Sequence, residues 1–489
     1  MTVTETFDIH SPTTGGLVGS FPVLGVDAVE EAVAHARGAG RWWAGLGFRE
    51  RSRRLRRWAA DIAAHEIELA QLIALETGKP LPDAVLEVAL TLDHLAWAGR
   101  NASRVLGKRR VSRTILTANQ SASLSYEPFG VVGVIGPWNY PVFTPMGSIA
   151  YALAAGNAVV FKPSEFTTAT GAWLVESFAR VVPEHPVLQQ VSGRGGTGAA
   201  LCRSGVDKVS FTGSTTTGAR VMATCAESLT PVVLELGGKD ALIVDVDADV
   251  SAAADAAAFG GVSNAGQSCT AVERVFVVAE RYDQFVAELS AILCNLTPGS
   301  QDGASYGPMT MPSQVEVVRR HVDAALADGG RAVVGGPESV GDLLIGPILL
   351  TDVPPGNIAA TEETFGPTIV VTKVRDLDQA IELANSTPFG LAASVFGKRR
   401  AQEAAERLRV GMVSINSWVM YAGVPALSWG GVGSSGFGRI HGADGLREFA
   451  RSKAITRQQF KAPISLTSFS RAKRATDIVV RYDRLRHRR

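Results

Sequence analysis

From residue 130 onward, short apolar runs alternate with helix-length segments, and this alternation restricts the fold more than any other feature of the chain. The runs Val131–Ile135, Ala158–Phe161, Lys208–Phe211, Val232–Leu236 and Ala241–Val244 read as strands, with helices at 144–155, 167–182, 196–203 and 215–228. Strands buried on both faces and separated by helices predict a parallel sheet with right-handed crossovers. A second series starts near residue 257. It holds Arg274–Val278, helices at 281–296 and 313–328, Thr368–Lys373, a helix at 376–385 and Ala393–Phe396. This predicts a second α/β domain, tightly packed on the first because no low-complexity linker intervenes. A chain of 489 residues also exceeds what one hydrophobic core serves.

Before residue 130 the texture differs. Residues 27–100 carry apolar positions at spacings of three and four, which predicts helix. Arg49, Arg51, Arg53, Arg54, Arg56 and Arg57 crowd one stretch, but Leu55, Trp58, Ile62 and Leu69 run between them. That pattern fits the solvated face of an amphipathic helix better than a nucleic-acid patch. Val111, Thr114, Ile115 and Leu116, then Ser121 to Tyr126, predict two strands about Asn119.

A net charge of +1 offers no global attraction to nucleic acid or to a membrane. Four cysteines are too few for a disulfide framework and suit a reducing compartment. Met1 to His10 lacks the apolar core of a signal peptide, and no apolar run reaches the length of about 18 residues that spans a bilayer. A cytoplasmic protein without stable membrane insertion is expected. The last stretch, Arg471 to Arg489, holds eight Arg and Lys against two Asp and reads first as a solvated or frayed tail.

Three segments carry candidate chemistry. Cys269 follows a Gly-Gln-Ser turn in a chain poor in cysteine, which makes it a candidate nucleophile, although a lone cysteine is more often a small buried apolar residue. Glu235 ends an apolar strand and precedes Leu236-Gly237-Gly238-Lys239, a sheet end where α/β proteins build sites. Asn139 lies just after the strand Val131–Ile135, where its amide can donate to a developing oxyanion. Gly193-Arg-Gly195-Gly-Thr-Gly198 matches G-x-G-x-x-G, but no acid follows about 20 residues on, so it is not taken as the pyrophosphate cradle.

Six segments in order, P-W-N-Y-P (Pro137–Pro141), K-P-S-E (Lys162–Glu165), F-T-G-S (Phe211–Ser214), E-L-G-G-K (Glu235–Lys239), G-Q-S-C (Gly266–Cys269) and E-E-T-F-G-P (Glu362–Pro367), resemble the aldehyde dehydrogenase superfamily. The resemblance runs from Ser11 to near Ile455. It implies an α/β fold with a Rossmann-type NAD-binding domain (1–110 and 129–236), an α/β catalytic domain (237–450) and a small β oligomerisation arm (111–128 and 451–463). A basic tail, 464–489, would follow, and the chain would assemble as a homodimer or homotetramer.

By the same resemblance, Cys269 attacks the aldehyde, Asn139 and the Cys269 amide hold the oxyanion, and Glu235 activates the water that hydrolyses the thioester. CoA-acylating relatives tend to lack that acid. The cofactor would rest on Ser214, Gly213 and Gly218 at a helix N-terminus, on Lys162 and Glu165 at the ribose, and on Trp138, Glu363 and Phe365. A carboxylate at Glu165 favours NAD, with NADP use left open. No metal is expected. Tyr140, Phe143, Ser268, Thr270 and Trp429 would wall the substrate tunnel, and their aromatic, uncharged character suggests an apolar or aromatic aldehyde. A succinate-semialdehyde dehydrogenase is the first rival, and a non-enzymatic NAD-binding relative the remote one. The chain departs from many members at Ser148, Val432, Gly433 and Arg451; the last puts a Glu-to-Glu water path in doubt.

Overall fold

The computed structural model describes residues 5–301, 303–462 and 466–488. Pro463 of the expected arm, Ile464, Ser465 and Arg489 of the tail, and Met1 to Thr4 lie outside the described residues.

The first alternating series forms one sheet, in the spatial order Gly436–Phe437, Val232–Glu235, Lys208–Thr212, Val131–Ile135, Ala158–Lys162, Leu188–Gln190. Five of these strands run parallel and Gly436–Phe437 pairs antiparallel with Val232–Glu235. The chain therefore returns to the first sheet from within the 237–450 stretch, and Ile440, Leu446 and Phe449 join that sheet's core. Four helices precede the sheet: Val26–Gly45, Gly47–Ala64, Glu66–Thr77 and Leu81–Leu106. Leu55, Trp58 and Ile62 face the core between the arginines, as the spacing predicts. Arg51 departs from the expected solvated face. It is buried, and its guanidinium donates to the Ala44 and Ala154 carbonyls.

The second series forms a seven-stranded sheet, ordered Arg331–Val334, Ile348–Thr351, Thr368–Val374, Val272–Val278, Asp240–Val244, Ala392–Phe396, Met412–Ile415. All pairs are parallel except the one involving Arg331–Val334. The arm is a three-stranded antiparallel sheet of Ala450–Gln458, Gln120–Pro128 and Arg109–Arg110. The expected strand over 111–116 is not formed. Val111 still donates to Ala122, but the chain then tightens into a 3-10 turn at Ile115–Thr117, closed by reciprocal Thr114 and Thr117 side-chain bonds. The tail is helical rather than frayed over Arg474–Arg486 and is exposed along nearly its whole length. Among the described residues no helix is long and apolar enough to cross a membrane.

The two large sheets share one cavity at strand ends. Thr212, Glu235 and Leu236, at the C-terminal ends of first-sheet strands, share a cavity with Cys269, Thr270 and Leu391, which precede second-sheet strands. A cleft at the carboxyl ends of parallel strands is where open α/β sheets place ligands.

Candidate active site

Cys269 is reached through a strained approach. Asn264, Ala265 and Gly266 all adopt left-handed backbone, with φ of 53°, 56° and 71°. For Asn264 and Ala265 this conformation needs outside support. Here Asn264 donates to the carbonyls of Asn139 and Gln267, and the Gln267 amide bridges Asn264 and Thr310. Glycine is required at 266, because a Cβ there would lie 2.2 Å from the Gly366 carbonyl oxygen. The half-buried Cys269 then faces the cavity, walled also by Tyr140, Phe143, Ser268, Thr270 and Trp429. Asn139 is buried beside this loop, and its side-chain amide donates to the Gln267 carbonyl at 3.0 Å, two residues before the thiol.

Glu235 lines the same cavity from the end of its strand. Both carboxylate oxygens are buried and have no hydrogen-bond partner among the described residues. Burial pushes its pKa well above the ordinary carboxylate range; Arg439 draws it down, Glu448 up, and the Trp429 side chain down. Burial likewise raises the Cys269 thiol, reinforced by the negative groups Asp240, Glu363 and Glu235. Two acids of raised pKa thus face one largely apolar space, a pairing typical of acid–base sites.

The Gly-Gly turn after Glu235 exists for close approach. A Cβ on Gly237 would fall 2.1 Å from a Glu363 carboxylate oxygen, and one on Gly238 would fall 2.7 Å from the Cys269 carbonyl oxygen. Glu363 accepts from the Gly238 amide at 3.0 Å, and its pKa is pushed up to about 8 by burial and by Glu273. Its loop is anchored by Glu273, which accepts from the Thr364 and Phe365 amides and from Lys239. Phe365 is held at φ 52° by this anchor, with its ring 5.6 Å from that of Trp138.

A second buried pair shapes the turn that carries Asn139. Lys79 and Glu87 meet at 2.7 Å with both side chains fully buried. Lys79 also donates to the Asn139 carbonyl and lies over the Tyr140 ring, while Glu87 accepts from the Val142 and Phe143 amides. Sequence reasoning missed Lys79, Glu87 and Glu273; the signal for Glu273 was a Glu-Arg pair, Glu273 and Arg274, at the start of a strand apolar from Val275 to Val278.

The remaining candidates line the C-terminal edge of the first sheet. Ser214 caps the helix Thr215–Ala226 by accepting from Thr217, and Gly218 leaves room for Leu236, whose Cδ2 would lie 2.5 Å from an added Cβ. Gly213 sits against Phe211, whose ring would lie 2.6 Å from an added Cβ. The first-turn amides of that helix have no carbonyl partner within it, which suits an anion. Lys162 is buried with its ammonium 3.7 Å from the half-exposed Glu165 carboxylate. The G-x-G-x-x-G segment opens the helix Gly195–Arg203, where Gly198 faces the Lys162 side chain. A helix N-terminus for phosphates and a carboxylate for a ribose, along one sheet edge, fit a dinucleotide.

The aldehyde dehydrogenase family profile matches residues 1–455. The chain belongs to the aldehyde dehydrogenase family. It is 38% identical to a 4,4'-diapolycopene aldehyde oxidase of Methylomonas sp. over 90% of this chain and 83% of that one. It is 33% identical to a glutarate-semialdehyde dehydrogenase of Pseudomonas aeruginosa over 92% and 94%. Among solved structures, an NAD-dependent aldehyde dehydrogenase from Sinorhizobium meliloti superposes with a TM-score of 0.90 at 34% identity, covering 95% of this chain and 93% of the other. A betaine aldehyde dehydrogenase mutant from Staphylococcus aureus, solved with NAD+, gives 0.88 at 30% identity over 95% and 96%. The protein is an NAD(P)-dependent aldehyde dehydrogenase with that family's α/β fold, and it oxidises an aldehyde to the acid.

Proposed function

We propose that this aldehyde dehydrogenase works through a thioester on Cys269, with Glu235 as the base and an apolar or aromatic aldehyde as substrate. The observation that carries the reading is the shared cavity: thiol, carboxylate and apolar wall face one another. The thiol, held protonated by burial, loses its proton to water, and the sulfur attacks the aldehyde carbon. The Cys269 amide and the Asn139 side chain donate to the oxyanion, Asn139 through the second hydrogen of the amide nitrogen that already holds the Gln267 carbonyl. When bound, the nicotinamide supplies the hydride acceptor. Ser214, Lys162, Glu165, Trp138, Glu363 and Phe365 would hold that cofactor, with NAD preferred because the Glu165 carboxylate repels a 2′-phosphate. Glu235 then takes a proton from water, whose oxygen attacks the thioester carbon and releases the acid and the thiol.

The substrate class follows from what the cavity lacks. Among the described lining residues Lys79 is the one cation, and Glu87 already neutralises it. Asp83 adds negative charge, so the free carboxylate of a semialdehyde finds no partner. The three-stranded arm, exposed from Arg451 to Gln458, is assigned to pairing of identical subunits, as homodimer or homotetramer. A cytoplasmic location completes the reading.

Rapid mixing of Glu235→Gln with NAD and hexanal should give one stoichiometric burst of NADH and then stall, while Cys269→Ala binds NAD and forms no acid. Steady turnover in either variant refutes the assignment.

A further inference from the structure

Resting on the apolar-aldehyde reading above, we propose that the mouth of the cavity is a collar that receives the tail of an extended hydrocarbon aldehyde, so that specificity grows with chain length. Leu86 and Phe259 line the cavity, yet are 52% and 51% exposed, so the wall reaches solvent while still apolar. Three separate elements build this rim: Leu86 and Leu90 from the helix Leu81–Leu106, Phe259 from the helix Val250–Val262, and the loop that begins at Trp418. They are tied together rather than adjacent by accident. Trp418 packs edge-on to Phe259 at 5.7 Å and donates from its indole to the Thr270 carbonyl, next to the nucleophile. A Cβ on Gly423 would touch Leu90, which seats the loop against the helix Leu81–Leu106.

The same loop leaves Met420 and Val424 60% and 44% exposed beside the cavity-lining Val419 and Ala422. Isolated exposed apolar residues need no explanation, but a continuous apolar surface leading out of a reactive cavity does. With the carbonyl carbon at the Cys269 sulfur and no free cation along the wall, the path outward suits a methylene chain and no anion. The occupant is therefore the substrate's own tail, continuous with the group reacting inside. Trp418, Leu86, Phe259 and Met420 become specificity-determining residues in this arrangement.

Straight-chain aldehydes from two to fourteen carbons, kept below their solubility limits, test the proposal on the intact enzyme with NAD. Each methylene that enters the collar should raise kcat/KM about fourfold, the ratio expected for full burial of one CH2. Phe259→Ser and Leu86→Ser, at half-exposed positions that leave the core intact, should each cut the long-over-short ratio about tenfold. A wild-type series flat in chain length with short aldehydes turned over, or variants with the wild-type slope, overturns the collar and leaves the Cys269 reading standing. No turnover at any length overturns both. Light scattering on Phe259→Ser gives a further arm: a fall in oligomer mass shows that a second copy covers the rim, which also overturns the proposal.

Discussion

One methyl group placed at Gly238 separates the chemistry of the thiol from the binding of the cofactor. The added Cβ would sit 2.7 Å from the Cys269 carbonyl oxygen, 2.8 Å from an Asp240 carboxylate oxygen and 3.3 Å from the Leu391 Cβ. An ordinary carbon-to-oxygen contact is about 3.3 Å, so the nucleophile's backbone must retreat by roughly 0.6 Å. Retreat toward the strained 264–266 run is resisted by the bonds that hold it. A misplacement of about 1 Å in an active site costs on the order of a hundredfold, so Gly238→Ala should slow the NADH burst about tenfold. Gly237→Ala is the control one residue away. Its Cβ would fall on the Glu363 carboxylate, not on the nucleophile, and would break that group's bond to the Gly238 amide. Losing a partner at this buried carboxyl costs about 1–3 kcal/mol, so KM for NAD should rise about tenfold, with a smaller change in burst rate. Stopped-flow absorbance of NADH reads both, the burst rate at saturating NAD and KM from its dependence on NAD concentration. A Gly238→Ala enzyme with the wild-type burst rate would refute the claim that this turn sets the position of the thiol.

Other outcomes follow from the same geometry. Removing Lys79 as Lys79→Met strands a buried Glu87 and should cost about 3–5 kcal/mol, seen as an earlier urea transition; Lys79→Met with Glu87→Met should recover part of it. Because burial raises both Glu235 and Cys269, and each acts only after losing its proton, kcat/KM should climb as pH rises above neutrality and fall on acidification; a pH-independent profile between 6 and about 9 would contradict this. Glu165→Ser should narrow the preference for NAD over NADP by about tenfold, measured as the ratio of kcat/KM with each cofactor.

The parts of this molecule visible in its sequence are those whose signal is local. Strands such as Ala158–Lys162 are apolar at nearly every position and flanked by helices, so their burial in a parallel sheet is written in a few residues. The six motifs were legible because glycines and reactive groups stand at fixed short spacings. Lys79 was not, because a single lysine after a helix looks solvated until its partners are known, and one of them, Asn139, lies 60 residues away. Met412–Ile415 and Gly436–Phe437 are too short to show a period, and the latter sits among glycines and serines. The failed strand over 111–116 shows the opposite error. β-Branched residues there suggested extension, but two threonine hydroxyls found each other and closed a turn instead.

The join between the two sheets has a consequence for how the protein loses activity. Thiol and carboxylate ride on different sheets, each with its own interior, and only the seam between them keeps the pair in register. Warming should therefore silence the enzyme while circular dichroism still reports an intact backbone. The thermal midpoint of inactivation would lie below that of melting, and saturating dinucleotide, which by the proposed contacts would touch both halves, should close the gap.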